Sequence, residues 1–204
     1  MEEDKDINWS TQLEDIVAQE GEKCRGLAWI HQQAESIASK KNNYIQIPVI
    51  ILSTLCGTAS VGSTSLFGDS NIAPVMIGFI SIGVGVLNTL GNFFAYAKKS
   101  ESHRIAYLNY SKLFTQINVE LSLPRKERSS APMVLKLLRD TMERLAETTP
   151  PVPHEIIDAF NIKFKNYKDD KISIPAECNG LSKINVYREE VHVATPLVKV
   201  LSVE

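Results

Sequence analysis

Residues Tyr44–Phe67 read YIQIPVIILSTLCGTASVGSTSLF, and Ile72–Ala97 read IAPVMIGFISIGVGVLNTLGNFFAYA. Between Lys41 and Lys98 the one charged residue is Asp69, in the polar joint Gly68-Asp69-Ser70-Asn71 that separates the two stretches. A helix rises about 1.5 Å per residue, so about 20 residues cross a 30 Å hydrocarbon core. Both stretches meet that length. Their Ser, Thr, Gly and Asn residues are compatible with spanning helices, where small side chains let backbones approach closely. So short a joint makes the two spans antiparallel neighbours. The expected fold is an all-α membrane protein: a two-helix transmembrane hairpin, long amphipathic cytoplasmic helices and a poorly ordered C-terminal tail. The competing reading is a helical pair buried in a soluble protein. It needs a large surrounding core, which the charged, amphipathic remainder does not supply.

The whole-chain averages conceal this pattern. Over 204 residues, 22 Lys+Arg against 24 Asp+Glu and a pI near 6.1 look soluble, and they exclude a nucleic-acid binder held by bulk positive charge. Cys24, Cys56 and Cys178 lie in three unrelated neighbourhoods, unlike a secreted disulfide scaffold. The acidic start Met1–Asp6 is not followed by an apolar run, so no signal peptide is expected there. Lys40 and Lys41 precede the first span, Lys98, Lys99 and Arg104 follow the second, and the joint holds no Lys or Arg. The bias of basic residues predicts an integral, two-pass protein with both termini in the cytoplasm, where the thiols stay reduced.

Inside the spans, alternating steps of three and four align Ser53, Gly57, Ser60 and Thr64 on the first, and Gly78, Ser81, Gly85, Asn88 and Asn92 on the second. These stripes either pack against each other or a neighbouring subunit, or line a water-filled path through an oligomer. Pro48 stands one turn into the first span. There it either kinks a running helix or restarts one at the interface. Pro74 lies in the first turn of its helix, where a missing N–H is tolerated.

Residues 1–43 are expected to hold an amphipathic helix with a seam of Leu13, Ile16, Leu27, Ile30, Ala34 and Ile37. The hairpin occupies 44–97, with its turn at 68–71, and 98–166 form a cytoplasmic helical region. There Tyr107, Tyr110, Phe114, Ile117 and Leu121 repeat at helical spacing, on a helix expected to continue the second span. Leu123-Pro124 stops it. PRKERSS (Pro124–Ser130) reads as a solvated basic loop, with headgroup contact as the alternative. A third cytoplasmic helix starts at Ser130 with Pro132 and carries Val134, Leu135, Leu138, Met142 and Leu145. A fourth, opened by Pro153, carries Ile156, Ile157, Phe160 and Phe164. Residues 167–204 read as a tail, disordered or with short strands over 184–190 and 191–203.

No catalytic chemistry is legible. His31, His103, His154 and His192 lack metal-site spacing, Gly83-Val84-Gly85 is not a phosphate loop, and no serine sits in a nucleophile elbow. His103-Arg104, just below the second span, reads as an interfacial pair, with pH sensing as the sharper alternative. No enzyme activity, cofactor or metal is expected. The expected partners are the lipid bilayer, further copies of the chain and a protein at the cytoplasmic face.

The order of elements resembles the SLATT family of two-transmembrane domains. The resemblance is carried by Ile47-Pro48-Val49-Ile50-Ile51-Leu52-Ser53 with Gly57-Thr58-Ala59-Ser60, by Ile77-Gly78 with Gly85-Val86-Leu87, and by His103-Arg104. Glu120-Leu121, Arg144-Leu145 and Pro150-Pro151-Val152-Pro153 add to it. It covers about residues 9–166, and the likeness is greatest to members from large DNA viruses. It implies a pore-forming or membrane-perturbing effector without catalytic residues. A non-conducting scaffold that binds a partner through its cytoplasmic helices and tail is the rival.

Overall fold

The computed structural model describes residues 9–62, 68, 72–165 and 172–179. Its helices are α1 (Thr11–Val61), α2 (Ile72–Phe94), α3 (Tyr96–Ser122), α4 (Ala131–Thr148), α5 (His154–Lys163) and the single turn α6 (Ala176–Asn179). A 3-10 turn, Arg125–Glu127, follows α3. Helix α1 starts where Ser10 accepts the Leu13 amide N–H on its hydroxyl at 3.2 Å. It ends at Gly62, whose N–H bonds the Thr58 carbonyl. Between these ends it is unbroken.

That continuity removes the restart reading of Pro48, which lies inside the helix. It also removes the helix boundary expected near residue 43. Pro48 gives up one backbone bond, while Val49 beside it is buried and holds the segment against its neighbour. The second half breaks where continuity was expected. Ala95 adopts the left-handed conformation, with φ 50° and ψ 39°, between α2 and α3. The Ala95 N–H still bonds the Gly91 carbonyl, and the Lys99 N–H bonds that of Ala95. The ladder is therefore carried across a one-residue turn that an L-residue adopts at a cost of about 1–2 kcal/mol.

Helix α1 runs antiparallel to α2 and α3. Gly21 meets Ile117, His31 meets His103, Glu35 accepts from Ser100, and Gly91 faces Ile45 and Gln46. A β-carbon at Gly21 would stand 3.0 Å from Ile117 Cγ2, so the helices approach as closely as their backbones permit there.

Two apolar clusters flank the lower half of α1. Val17, Cys24 and Leu27 pack with Tyr110, Leu113 and Ile117 of α3 and Val134, Leu138 and Leu145 of α4. On another side, Ile30 and Ala34 pack with Ile156 and Phe160 of α5. The α1 seam expected from the sequence is thus partly corrected: Ile16 is exposed, and the buried face runs through Val17, Gly21, Cys24, Ala28 and His31. On α3 the buried face is His103, Ala106, Tyr110, Leu113 and Ile117, while Tyr107, Phe114 and Leu121 flank it half-buried. Small residues win the centre because they let two long helices close on each other.

The basic loop is a clamp and not a solvated strap. Arg125 and Arg128 both grip the Glu14 carboxylate, and Arg128 also bonds the Leu121 and Leu123 carbonyls. Its guanidinium lies 5.3 Å from the Trp9 ring, whose indole N–H bonds Ser129. These bonds join the start of α1 to the α3–α4 connection and hold the Glu14 carboxyl down to about 2. Ser130 occupies the cap position of α4 as expected, yet its hydroxyl makes no cap bond.

Part of the expected tail is packed. Pro175 is buried, and a β-carbon on Gly26 would come within 2.6 Å of it. The Ser173 N–H donates to Glu22 at 2.7 Å. Ile174 and Cys178 join the α1–α5 cluster. Proline and glycine fit face to face here because neither adds bulk at the contact. The strand expectation over 184–203 lies outside the described residues, as do residues 63–67 with Thr64, and Asp69–Asn71 of the joint.

Candidate functional site

Two helices are long and apolar enough to cross a membrane, α1 in its upper half and α2. None of the residues of α2 is buried. Ile50, Ile51 and Leu55 of α1, with Phe79, Ile82, Val86 and Phe93 of α2, stand exposed. Fully removing such a side chain from water is worth about 1.5–3 kcal/mol. Left in water, the seven side chains would forgo about 10–20 kcal/mol, comparable with the whole stability of an ordinary domain, about 5–15 kcal/mol. These faces form an exposed apolar surface along both helices.

The two predicted stripes do not meet within the chain. Ile45, Val49, Leu52, Cys56 and Ala59 turn inward on α1, and Ala73, Ile77, Val84, Leu87 and Gly91 turn inward on α2. A groove of about 450 Å³ lined by Leu52, Cys56, Ala73 and Ile77 runs between the helices. Ser53, Gly57 and Ser60 are exposed on α1, as are Gly78, Ser81, Gly85, Asn88 and Asn92 on α2. A β-carbon at Gly57, Gly78 or Gly85 would touch nothing within 4 Å. Apolar residues win the contact between the helices, and the stripes face outward.

The outward polar groups differ in how they are satisfied. Ser53 donates to the Val49 carbonyl at 2.6 Å, and Ser81 to that of Ile77 at 2.8 Å. Such bonds to residue i−4 satisfy a hydroxyl within its own helix. The Asn88 and Asn92 amides, one turn apart, have no hydrogen-bond partner among the described residues. An amide left unbonded in an apolar medium costs several kcal/mol. Among the described residues the two amides are left open on the outward face of α2.

At the lower end of the apolar zone, Lys41 of α1 and Lys99 of α3 approach the same ring, Tyr96, at 6.0 and 5.7 Å from its centroid. Lys40 and Lys98 are exposed beside them. Arg104 is held by Glu101 in a two-bond pair at 2.8 Å. These cations lie exposed at the lower end of the two apolar helices.

His103 does not. It is buried against His31, with Nδ1 to Nδ1 at 2.9 Å, and His31 stacks on Tyr110. A bond between two ring nitrogens needs one protonated and one bare, so at most one of the two rings can carry a charge, and burial favours both being neutral. Burial holds both rings below the ordinary imidazole range, and the facing His103 helps bring His31 down to about 4. No local pattern announces this pair, because the two residues stand 72 positions apart. Below it, burial pushes the Cys24 thiol up to about 12, and its Sγ contacts Met142 Sδ at 3.6 Å. That thiol is packing material. Among the described residues no cluster of three or more His, Cys, Asp or Glu suits a metal ion.

Comparison with family models, with curated proteins and with solved structures returns no match.

Proposed function

We propose that this chain is a two-pass membrane protein, with both termini cytoplasmic, that self-associates through the outward face of α2 and permeabilises or perturbs the bilayer. The observation that carries this reading is the pair Asn88 and Asn92, exposed one turn apart with no bond to either amide among the described residues. In lipid, a second copy or a file of water supplies the missing bonds at least cost. Gly78 and Gly85 on the same face leave room for a neighbouring backbone. The resemblance to SLATT proteins supports the same class of activity.

Purified chain in liposomes is expected to release an entrapped small dye, and Asn88→Leu with Asn92→Leu to cut that release at least tenfold while the protein still inserts. Retention of dye by the unaltered chain at high protein-to-lipid ratio refutes conduction. One observation favours the scaffold reading instead. A groove of about 410 Å³ between α3 and α4 exposes Met133 and Leu137 at its edge, which suits a cytoplasmic partner. That reading predicts a stable partner in pull-down and no dye release.

A further inference from the structure

We propose that the lysines gathered around Tyr96 form a binding site for a phospholipid with a net negative headgroup, its acyl chain lying along the neighbouring groove of α1. The proposal rests on the membrane reading above. Two independent features point to this ligand. Lys41 and Lys99 come from different helices yet converge on one ring, and Lys40 and Lys98 stand beside them. Among the described residues none of the four is in an ion pair. The acids close by are otherwise engaged: Glu35 accepts the Ser100 hydroxyl at 3.3 Å, and Glu101 holds Arg104. The cluster therefore keeps an uncompensated positive charge at the level where phosphates lie.

The second feature is a groove of about 280 Å³ on α1 lined by Lys40, Asn43, Tyr44, Ile47 and Pro48. It is polar at Lys40 and Asn43 and apolar at Ile47 and Pro48, over about 12 Å of helix. That order matches a lipid running from headgroup to acyl chain. Tyr44, an exposed residue at the edge of the groove with a hydroxyl at the tip of its ring, suits the boundary between the two. Ala95 directly precedes Tyr96, so the left-handed turn there sets the direction in which the ring meets the lysines.

The full chain in detergent, given equal amounts of phosphatidylglycerol and phosphatidylcholine, is the material for the test, and native mass spectrometry reads the retained lipid. A preference of roughly 25-fold for phosphatidylglycerol is expected, since Lys41 and Lys99, which converge on the ring, each contribute about a factor of five near a charged lipid. Lys41→Gln with Lys99→Gln is expected to bring it within about twofold of parity. Lys41→Arg with Lys99→Arg preserves charge and ring contact, and Lys112→Gln lies far down α3; both should keep the preference. Equal retention of the two lipids, or a preference that survives the double glutamine change, overturns the site. Displacement of the lipid by excess inorganic phosphate overturns the lipid assignment in favour of a free-anion site. Recovery of the chain in the supernatant after alkaline washing of membranes would sink the membrane reading itself. A chain that stays with the membranes yet shows no lipid preference sinks this site alone.

Discussion

The His31–His103 contact ties one hydrogen bond to the acid limit of the fold. In the unfolded chain an imidazole takes up its proton near 6.5, whereas His31 in the fold does so near 4. Between those values the unfolded state binds the extra proton, so stability is complete above the window and falls as pH is lowered through it. A depression of this size corresponds to a loss on the order of 3 kcal/mol. Melting of the full chain in detergent is expected to drop as pH goes from about 6.5 to about 4, and His31→Phe with His103→Leu to flatten that drop. A melting temperature that holds constant over this range refutes the neutral pair. Glu14 acts in a separate window: its carboxyl, held near 2 by Arg125 and Arg128, releases its contribution only as pH falls below about 4.5.

At the scale of elements, the contacts that set helix positions are made by residues with little side chain. Gly26 admits Pro175, Gly21 admits Ile117, and Gly91 admits Ile45. Gly26→Leu drives carbon atoms into the Pro175 ring, a conflict of about 1–3 kcal/mol for an overpacked contact. The segment Ile172–Asn179 is expected to undock, read as faster hydrogen exchange at Ser173 and Cys178 with α4 unchanged; protection as strong as in the parent chain would refute the docking. The same logic explains what was legible in the sequence. Charge-free runs marked the two long apolar helices, Leu123-Pro124 and the prolines from Pro150 to Pro153 gave the helix ends, and helical spacing gave the seams to within one position. Hydropathy favours Tyr107 and Phe114 for the centre of α3, yet Ala106 and His103 occupy it. Their burial follows from Ala28, Ala34 and Ala38 on α1, whose smallness carries no hydropathic signal. Ala95 carries no signal at all, since nothing about an alanine announces a left-handed turn. The clamp of Glu14 by Arg125 and Arg128 joins residues more than a hundred positions apart, beyond the reach of any local pattern.

The described residues divide at the lysine level into a half whose large apolar side chains point outward and a half that encloses two apolar clusters. Below the lysines, α1 is covered on two sides by α3, α4 and α5; above them its neighbour among the described residues is α2. A single continuous α1 links the halves, so the lower bundle cannot change its position without moving the first span. The proposed topology rests on this division together with the bias of basic residues. Ile72 at the start of α2 and Lys126 in the clamp lie at opposite ends of the molecule, and both are exposed. With the native cysteines replaced, an impermeant maleimide added to intact cells is expected to label Ile72→Cys and to label Lys126→Cys only after the membrane is opened. Neither position lies on the inward faces of the spans, so both variants should insert as the parent chain does. Labelling of both positions from outside would show that the chain lies on the membrane or beyond it. Labelling of Lys126→Cys alone would place the clamp and the termini on the far side, against the charge rule and against a cytoplasmic role for the lower bundle.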